Sequence, residues 1–234
     1  MSNPTRFLSG IATVPASQVL GSYPLPDPFH TGGTSGKEVF TYQNDFTDLG
    51  NAGSRTVTGT SSTFALADGL GGIGVLTPGG ATTASSVYRT AAAFQLSAGD
   101  KFWFTQRVKL SAVGTGITGY FGMIKTGATA TDSFLFKIAA TGIVSLVSTV
   151  DSTATTLVAQ VTTAVSDTFF EVGCYFDGTD LFVYSEHNLV ARVSGLELGV
   201  TIPDAAMTNI MQITPAATET MSVDFVLSAQ EITR

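Results

Sequence analysis

Along most of the chain, apolar side chains recur at every second position, the period of a strand with one face on a core and one toward water. The segment from Val39 to Phe46 opens the series. Phe102, Phe104, Val108 and Leu110 then alternate with Lys101, Trp103, Arg107 and Lys109, which predicts a strand whose wet face carries Trp103. Phe134, Phe136 and Ile138 alternate with Leu135 and Lys137, and Thr141-Gly142 turns the chain into a strand from Ile143 to Val147. Phe170, Val172, Cys174 and Phe176 form a further inward row, ended by the hairpin signal Asp177-Gly178, after which Leu181 to Tyr184 returns. Glu186-His187-Asn188 leads into Leu189 to Val193, and Met221 to Leu227 is the last strand. Only the segment from Val200 to Met211 leaves room for a short helical turn. The pattern predicts an all-β antiparallel sandwich of jelly-roll type over residues 37–234. Its expected core contains Phe102, Phe104, Phe134, Phe136, Phe170, Val172, Phe176, Val223 and Phe225.

The first 36 residues follow a different rule. Five of the eight prolines (Pro4, Pro15, Pro24, Pro26 and Pro28) lie there, and each removes a backbone donor and constrains its predecessor. Large apolar residues are spread among them, so residues 1–36 read as an extended arm and linker that lies along another surface. Arg6, Phe7, Ile11, Val14, Leu20, Tyr23, Leu25 and Phe29 are its expected contact residues, and His30 to Gly36 its joint.

Composition narrows the chemistry. Of 234 residues only 12% are charged, the net charge is −7, and the basic residues are scattered, which argues against a nucleic-acid partner. Cys174 is the single cysteine, so no internal disulfide or cysteine-based zinc site is expected. The start carries no signal-peptide pattern and no stretch long enough to span a bilayer, which predicts cytoplasmic synthesis and no membrane partner.

Motifs with chemical associations have plainer explanations. Gly69-Leu70-Gly71-Gly72-Ile73-Gly74 fits a dinucleotide fingerprint, but Pro78 denies it the following helix, and a glycine-rich hairpin after Phe64 to Asp68 fits better. Gly32 to Lys37 is one residue short of a phosphate loop. His30 and His187 have no ligand neighbours at metal spacing, and His187 reads as a surface turn residue. Cys174 shares the inward face of its strand and reads as a buried small hydrophobe. Asp177 and Asp180 read as turn residues rather than calcium ligands. Glu171 and Asp224 each stand alone on their strands, so no carboxylate pair for glycoside hydrolysis is expected. The predictions are therefore no cofactor, no metal and no enzymatic activity.

Two resemblances add to this reading. The segment Phe169-Phe170-Glu171-Val172-Gly173-Cys174-Tyr175-Phe176-Asp177-Gly178 through Leu181-Phe182-Val183-Tyr184 resembles the central hairpin of laminin-G or concanavalin-like sandwiches, and Val223-Asp224-Phe225-Val226 is similar to their final strand. The opening Arg6-Phe7-Leu8-Ser9-Gly10-Ile11-Ala12-Thr13-Val14, with Leu20-Gly21-Ser22-Tyr23-Pro24-Leu25-Pro26-Asp27-Pro28, resembles the cement (decoration) proteins of short-tailed bacteriophage capsids. In that group a Leu-Pro-Asp-Pro arm precedes an aromatic strand ending in Asn-Asp-Phe, here Asn44-Asp45-Phe46; Ala67-Asp68-Gly69 and Phe102-Trp103-Phe104 also fit. The resemblance implies a virion protein on the outer capsid surface. Its arm would bind the major capsid protein of an HK97-like shell, and closed rotational symmetry, usual for repeated proteins, predicts self-association as a dimer or trimer. The competing expectation is a lectin-like carbohydrate-binding module displayed on a virion, with Trp103 as a surface or glycan contact.

Overall fold

The computed structural model describes residues 38–46, 55–67, 72–90, 92–96, 100–114, 116–125 and 131–232. The arm expected at 1–36, with its eight contact residues, lies outside them. The described residues hold fifteen strands and no helix. The first half contains β1 (Glu38–Asn44), β2 (Arg55–Thr58), β3 (Thr63–Ala67), β4 (Ile73–Thr77), β5 (Ser85–Arg89), β6 (Phe102–Leu110) and β7 (Thr118–Lys125). The second half contains β8 (Ser133–Ile138), β9 (Ile143–Val150), β10 (Thr153–Thr163), β11 (Phe170–Phe176), β12 (Leu181–Ser185), β13 (Asn188–Val193), β14 (Met207–Thr214) and β15 (Met221–Ile232).

They form two antiparallel sheets. An eight-stranded sheet runs β13-β12-β11-β6-β15-β4-β3, with β1 also paired to β15, and a seven-stranded sheet runs β10-β9-β8-β7-β14-β5-β2. The expected β-sandwich of jelly-roll type is the fold observed. Phe104 from the first sheet stacks on Phe136 from the second at 6.0 Å between ring centroids, and Phe136 stacks on Phe121 at 5.5 Å. These rings, with Phe94, Phe102 and Phe176, are almost wholly buried and tie the layers together. Each such aromatic pair adds about 0.5–1.5 kcal/mol beyond the area it removes from water.

Local chemistry closes the hairpins. Asp177 Oδ1 accepts from the Thr179 and Asp180 backbone N–H groups at 2.9 and 2.7 Å, which fixes the β11–β12 turn. The glycine-rich stretch links β3 to β4, which pair with Thr63 opposite Thr77. Gly142, at φ +84°, turns β8 into β9.

Two expectations are corrected. The span 200–211 holds no helix, only the end of a turn in which the Thr201 N–H donates to the Glu197 carbonyl at 2.8 Å; β14 begins at Met207, and Met207, Asn209, Met211 and Ile213 alternate inward, a strand hidden from the sequence pattern by a polar residue at an inward position. Phe225 is not in the core. A bulge between Val223 and Phe225 sets both Asp224 and Phe225 against Arg107, and Val226 takes the inward position instead. The other eight residues of the expected core are buried.

Candidate functional site

Strand register brings chemistry-bearing residues from distant parts of the chain into rows on the outer face of the eight-stranded sheet, where alternate residues of β11, β6 and β15 point away from the core. The first row is aromatic. Phe182 lies opposite Tyr175, which lies opposite Trp103. Tyr175 stacks on Phe182 at 5.8 Å and on Trp103 at 5.2 Å, with ring planes 24° and 26° apart. Arg192 caps the row, its guanidinium 5.5 Å from the Phe182 ring centre while it pairs with Asp180. Phe182 and Tyr175 are half-buried and Trp103 is buried, so the row forms an apolar ridge exposed at its β12 and β11 end.

The next row has small residues at its centre. Tyr184 lies opposite Gly173, Gly173 opposite Thr105, and Thr105 opposite Leu227. The third row is charged: Glu171 lies opposite Arg107, and Arg107 pairs with Asp224 on the far side. Arg107 also lies 4.9 Å over the Phe169 ring, and Lys109 5.1 Å over the same ring. The aromatic and charged rows are four residues apart along each strand, about 13 Å. Between them Gly173 and Thr105 are buried, so the trough outlined by these rows across β12, β11, β6 and β15 is closed at its centre and partly exposed at Phe182, Tyr175 and Arg107.

Glu171 is held by several contacts in the charged row. Its Oε1 accepts from Thr105 Oγ1 at 3.2 Å and lies 3.4 Å from His187 Nδ1, and its backbone N–H donates to Glu186 Oε1 at 2.8 Å. Burial pushes its carboxyl above the usual glutamate range and the Glu186 charge adds to the rise, while His187, Thr105 and Arg107 oppose it. Burial, with a smaller push from the Asp177 charge, raises the Tyr175 phenol to about 12.

The sequence-stated candidates fall as follows. Trp103 lies on the outer face as expected, yet its ring is only 4% exposed, and its indole Nε1 has no hydrogen-bond partner. His187 occupies the turn, at φ +65°, where it reaches Glu171. Cys174 is fully buried, and burial pushes its thiol far above the usual cysteine range. Among the described residues no three His, Cys, Asp or Glu side chains gather to hold a metal. The clustering of Glu171, Arg107 and Asp224 was missed. Each was read along its own strand, whereas β6 carries Arg107 between the other two.

No family model and no curated protein matches the sequence. Solved structures do. The β-glucanase of Bacillus licheniformis superposes with a TM-score of 0.58 at 12% identity, over 85% of this chain and 98% of that one. An endo-1,3-β-glucanase from Streptomyces sioyaensis gives 0.58 at 12% identity, over 87% and 99%. Peanut lectin gives 0.53 at 10% identity, over 84% and 100%. At this identity the likeness establishes the fold: a concanavalin-like jelly-roll sandwich. It also corrects the expectation of no enzymatic activity. A glycosidic hydrolase and glucanases share the fold over nearly their full length. The absence of two acids on one strand, on which that expectation stood, is no basis for excluding catalysis when β11 and β15, on either side of β6, bring Glu171 and Asp224 to one face.

Proposed function

We propose that the protein is a carbohydrate-binding module whose trough on the outer face of the eight-stranded sheet receives a glycan. The observation that carries the reading is the side-by-side arrangement of an apolar ridge, whose partly exposed rings are Phe182 and Tyr175 with Trp103 buried behind them, and a charged row, Glu171-Arg107-Asp224. A sugar has C–H patches that pack on rings and hydroxyls that need both donors and acceptors. The Arg107 guanidinium donates, and the carboxylates of Asp224 and Glu171 accept. The fold shared with a lectin and glucanases supports the choice of ligand class.

The test is a glycan array followed by calorimetry on the best binder. Tyr175→Ala removes the middle of the ridge and Arg107→Ala the centre of the charged row, and each is expected to weaken binding at least tenfold, about 1.4 kcal/mol. Release of reducing ends from the bound glycan is followed in the same samples. No binding above background across the array would overturn the reading.

A second reading, capsid decoration, is carried by the Pro-rich arm and its resemblance to phage cement proteins. It is compatible with glycan binding, since a module displayed on a shell would use the arm to attach and the sandwich to bind. Decoration of expanded capsids by the full chain, lost on deletion of residues 2–29, is the expected outcome. A truncated chain that still decorates capsids would remove the arm from that role.

A further inference from the structure

At the far end of the sandwich from β13, the two sheets part and leave an open cavity of about 40 Å³. A water needs roughly 10–15 Å³ measured this way, so the space suits three or four small atoms or groups, with more of a ligand outside the mouth. Its walls are apolar and aromatic, among them Tyr42, Phe64, Val87, Met211 and Val226.

Two polar features set it apart from a packing flaw. Asn209 reaches the cavity from β14 with only 8% of its surface exposed. Its Oδ1 accepts from Ser228 Oγ at 2.9 Å, while its Nδ2 has no partner. Turning the amide over exchanges these roles, with Nδ2 donating to Ser228 and Oδ1 left alone, so one polar atom is unsatisfied either way. A buried amide group without a partner costs about 1–3 kcal/mol. The second feature is charge. Arg89 lines the cavity, and among the described residues no Asp or Glu does, in a chain of net charge −7. Arg89 lies 4.2 Å over the Tyr42 ring, which holds its guanidinium at the cavity.

These features define complementary chemistry. The inner end asks for a small group with an apolar tip and a hydrogen-bonding partner for Asn209. An acetamido group supplies a methyl, a C=O acceptor and an N–H donor, and so satisfies either orientation of the asparagine. Arg89 at the mouth asks for an anion, and arginine matches a carboxylate best. We propose that this cavity is a binding site for an N-acetylated, carboxylate-bearing sugar, with the acetamido group inside against Asn209 and the carboxylate at Arg89. The choice of a sugar as carrier rests on the glycan-binding reading above, but the site is separate from the trough.

The test is calorimetry of the full chain with N-acetylneuraminic acid, alongside N-acetylglucosamine and glucuronic acid, each of which lacks one of the two groups. Binding of the first at least tenfold tighter than either partial ligand is expected, weakened tenfold or more by Arg89→Gln and by Asn209→Leu and unchanged in Tyr175→Ala. Arg89 is partly exposed, so its variant carries the test should Asn209→Leu fail to fold. Equal binding of all three sugars, or none at about 10 mM, would overturn the proposal. So would loss of binding in Tyr175→Ala alone, which would move the ligand to the trough, or a soaked crystal with only water on Asn209.

Discussion

Gly122 puts the register of the seven-stranded sheet to a quantitative test. It sits in the middle of β7 at φ +138°, between Leu135 of β8 and Ile210 of β14. A Cβ added there would lie 2.4 Å from the Phe134 carbonyl oxygen and 3.1 Å from Leu135 Cα. Both are backbone atoms of the neighbouring strand, so no side-chain rotation relieves the overlap. Positive φ alone costs an L-residue about 1–2 kcal/mol, and displacing a paired strand adds a similar amount, giving about 3 kcal/mol for Gly122→Ala. For a domain of this size 1 kcal/mol moves Tm by about 2–4 °C, so the variant should melt about 6–12 °C below the parent. Gly80→Ala is the control: nothing lies within 4 Å of its added Cβ, and its φ is not among the positive ones. There the substitution restricts the unfolded chain and should leave Tm unchanged or raise it slightly. The assay is calorimetric melting of the three proteins under one condition. Equal melting of Gly122→Ala and Gly80→Ala would refute the strand pairing on which the estimate rests.

Further outcomes follow from individual side chains. Phe136→Ala removes the ring that stacks on both Phe104 and Phe121, and should cost about 3–5 kcal/mol in urea unfolding; a loss under 1 kcal/mol would mean that the sheets are not held through it. Glu171 has a raised carboxyl pKa, so the folded state holds its proton more tightly than the unfolded one, and stability should fall as pH rises from the ordinary glutamate value through the folded one. Glu171→Gln should flatten that fall in denaturation curves taken between about pH 4 and 7, and an unchanged pH profile would contradict the burial of the carboxyl. Cys174 should resist a thiol reagent in the native protein and react fully once unfolded, with rapid native labelling as the contrary result.

How much of this was legible in the sequence depended on whether the decisive contact was local. The β11–β12 hairpin was, because Asp177-Gly178 sets its turn and Phe170, Val172, Cys174 and Phe176 keep strict alternation. β7 was not, since Gly119 and Gly122 stand at strand positions where the pattern asks for side chains. β14 was obscured by Asn209, a polar residue facing inward toward Ser228. The trough was beyond reach for a further reason. Its aromatic ridge draws on β6, β11 and β12 and its charged row on β6, β11 and β15, and the order of strands in a sheet is not written in the periodicity of any one of them. Trp103 could be placed on a face, but not beneath the neighbours that bury it.

The bulge at Asp224 links that hidden register to function and can be removed by itself. Val223 lies opposite Val108 and Phe225 opposite Arg107, the next residue of β6, so Asp224 is the one residue without its own partner. Deleting it should convert the irregular pairing into a continuous ladder, with Val223 and Val226 still inward and Phe225 still outward, because the count on either side is already in step. The stability cost should then be confined to the Arg107 ion pair. The Arg107 side chain is 41% exposed, so solvent screening limits that pair to about 0–1 kcal/mol and the change in Tm to a few degrees. Glycan binding should respond very differently. Arg107 would lose the carboxylate that holds its guanidinium over the trough, and the charged row would lose an acceptor, so affinity should drop tenfold or more. Deletion of Val223 would instead pull Asp224 into the inward position opposite Val108 and cost much more stability. If deletion of Asp224 unfolds the protein, the bulge is not where the strand register puts it. If the variant folds and binds glycan as the parent does, Asp224 has no part in the site.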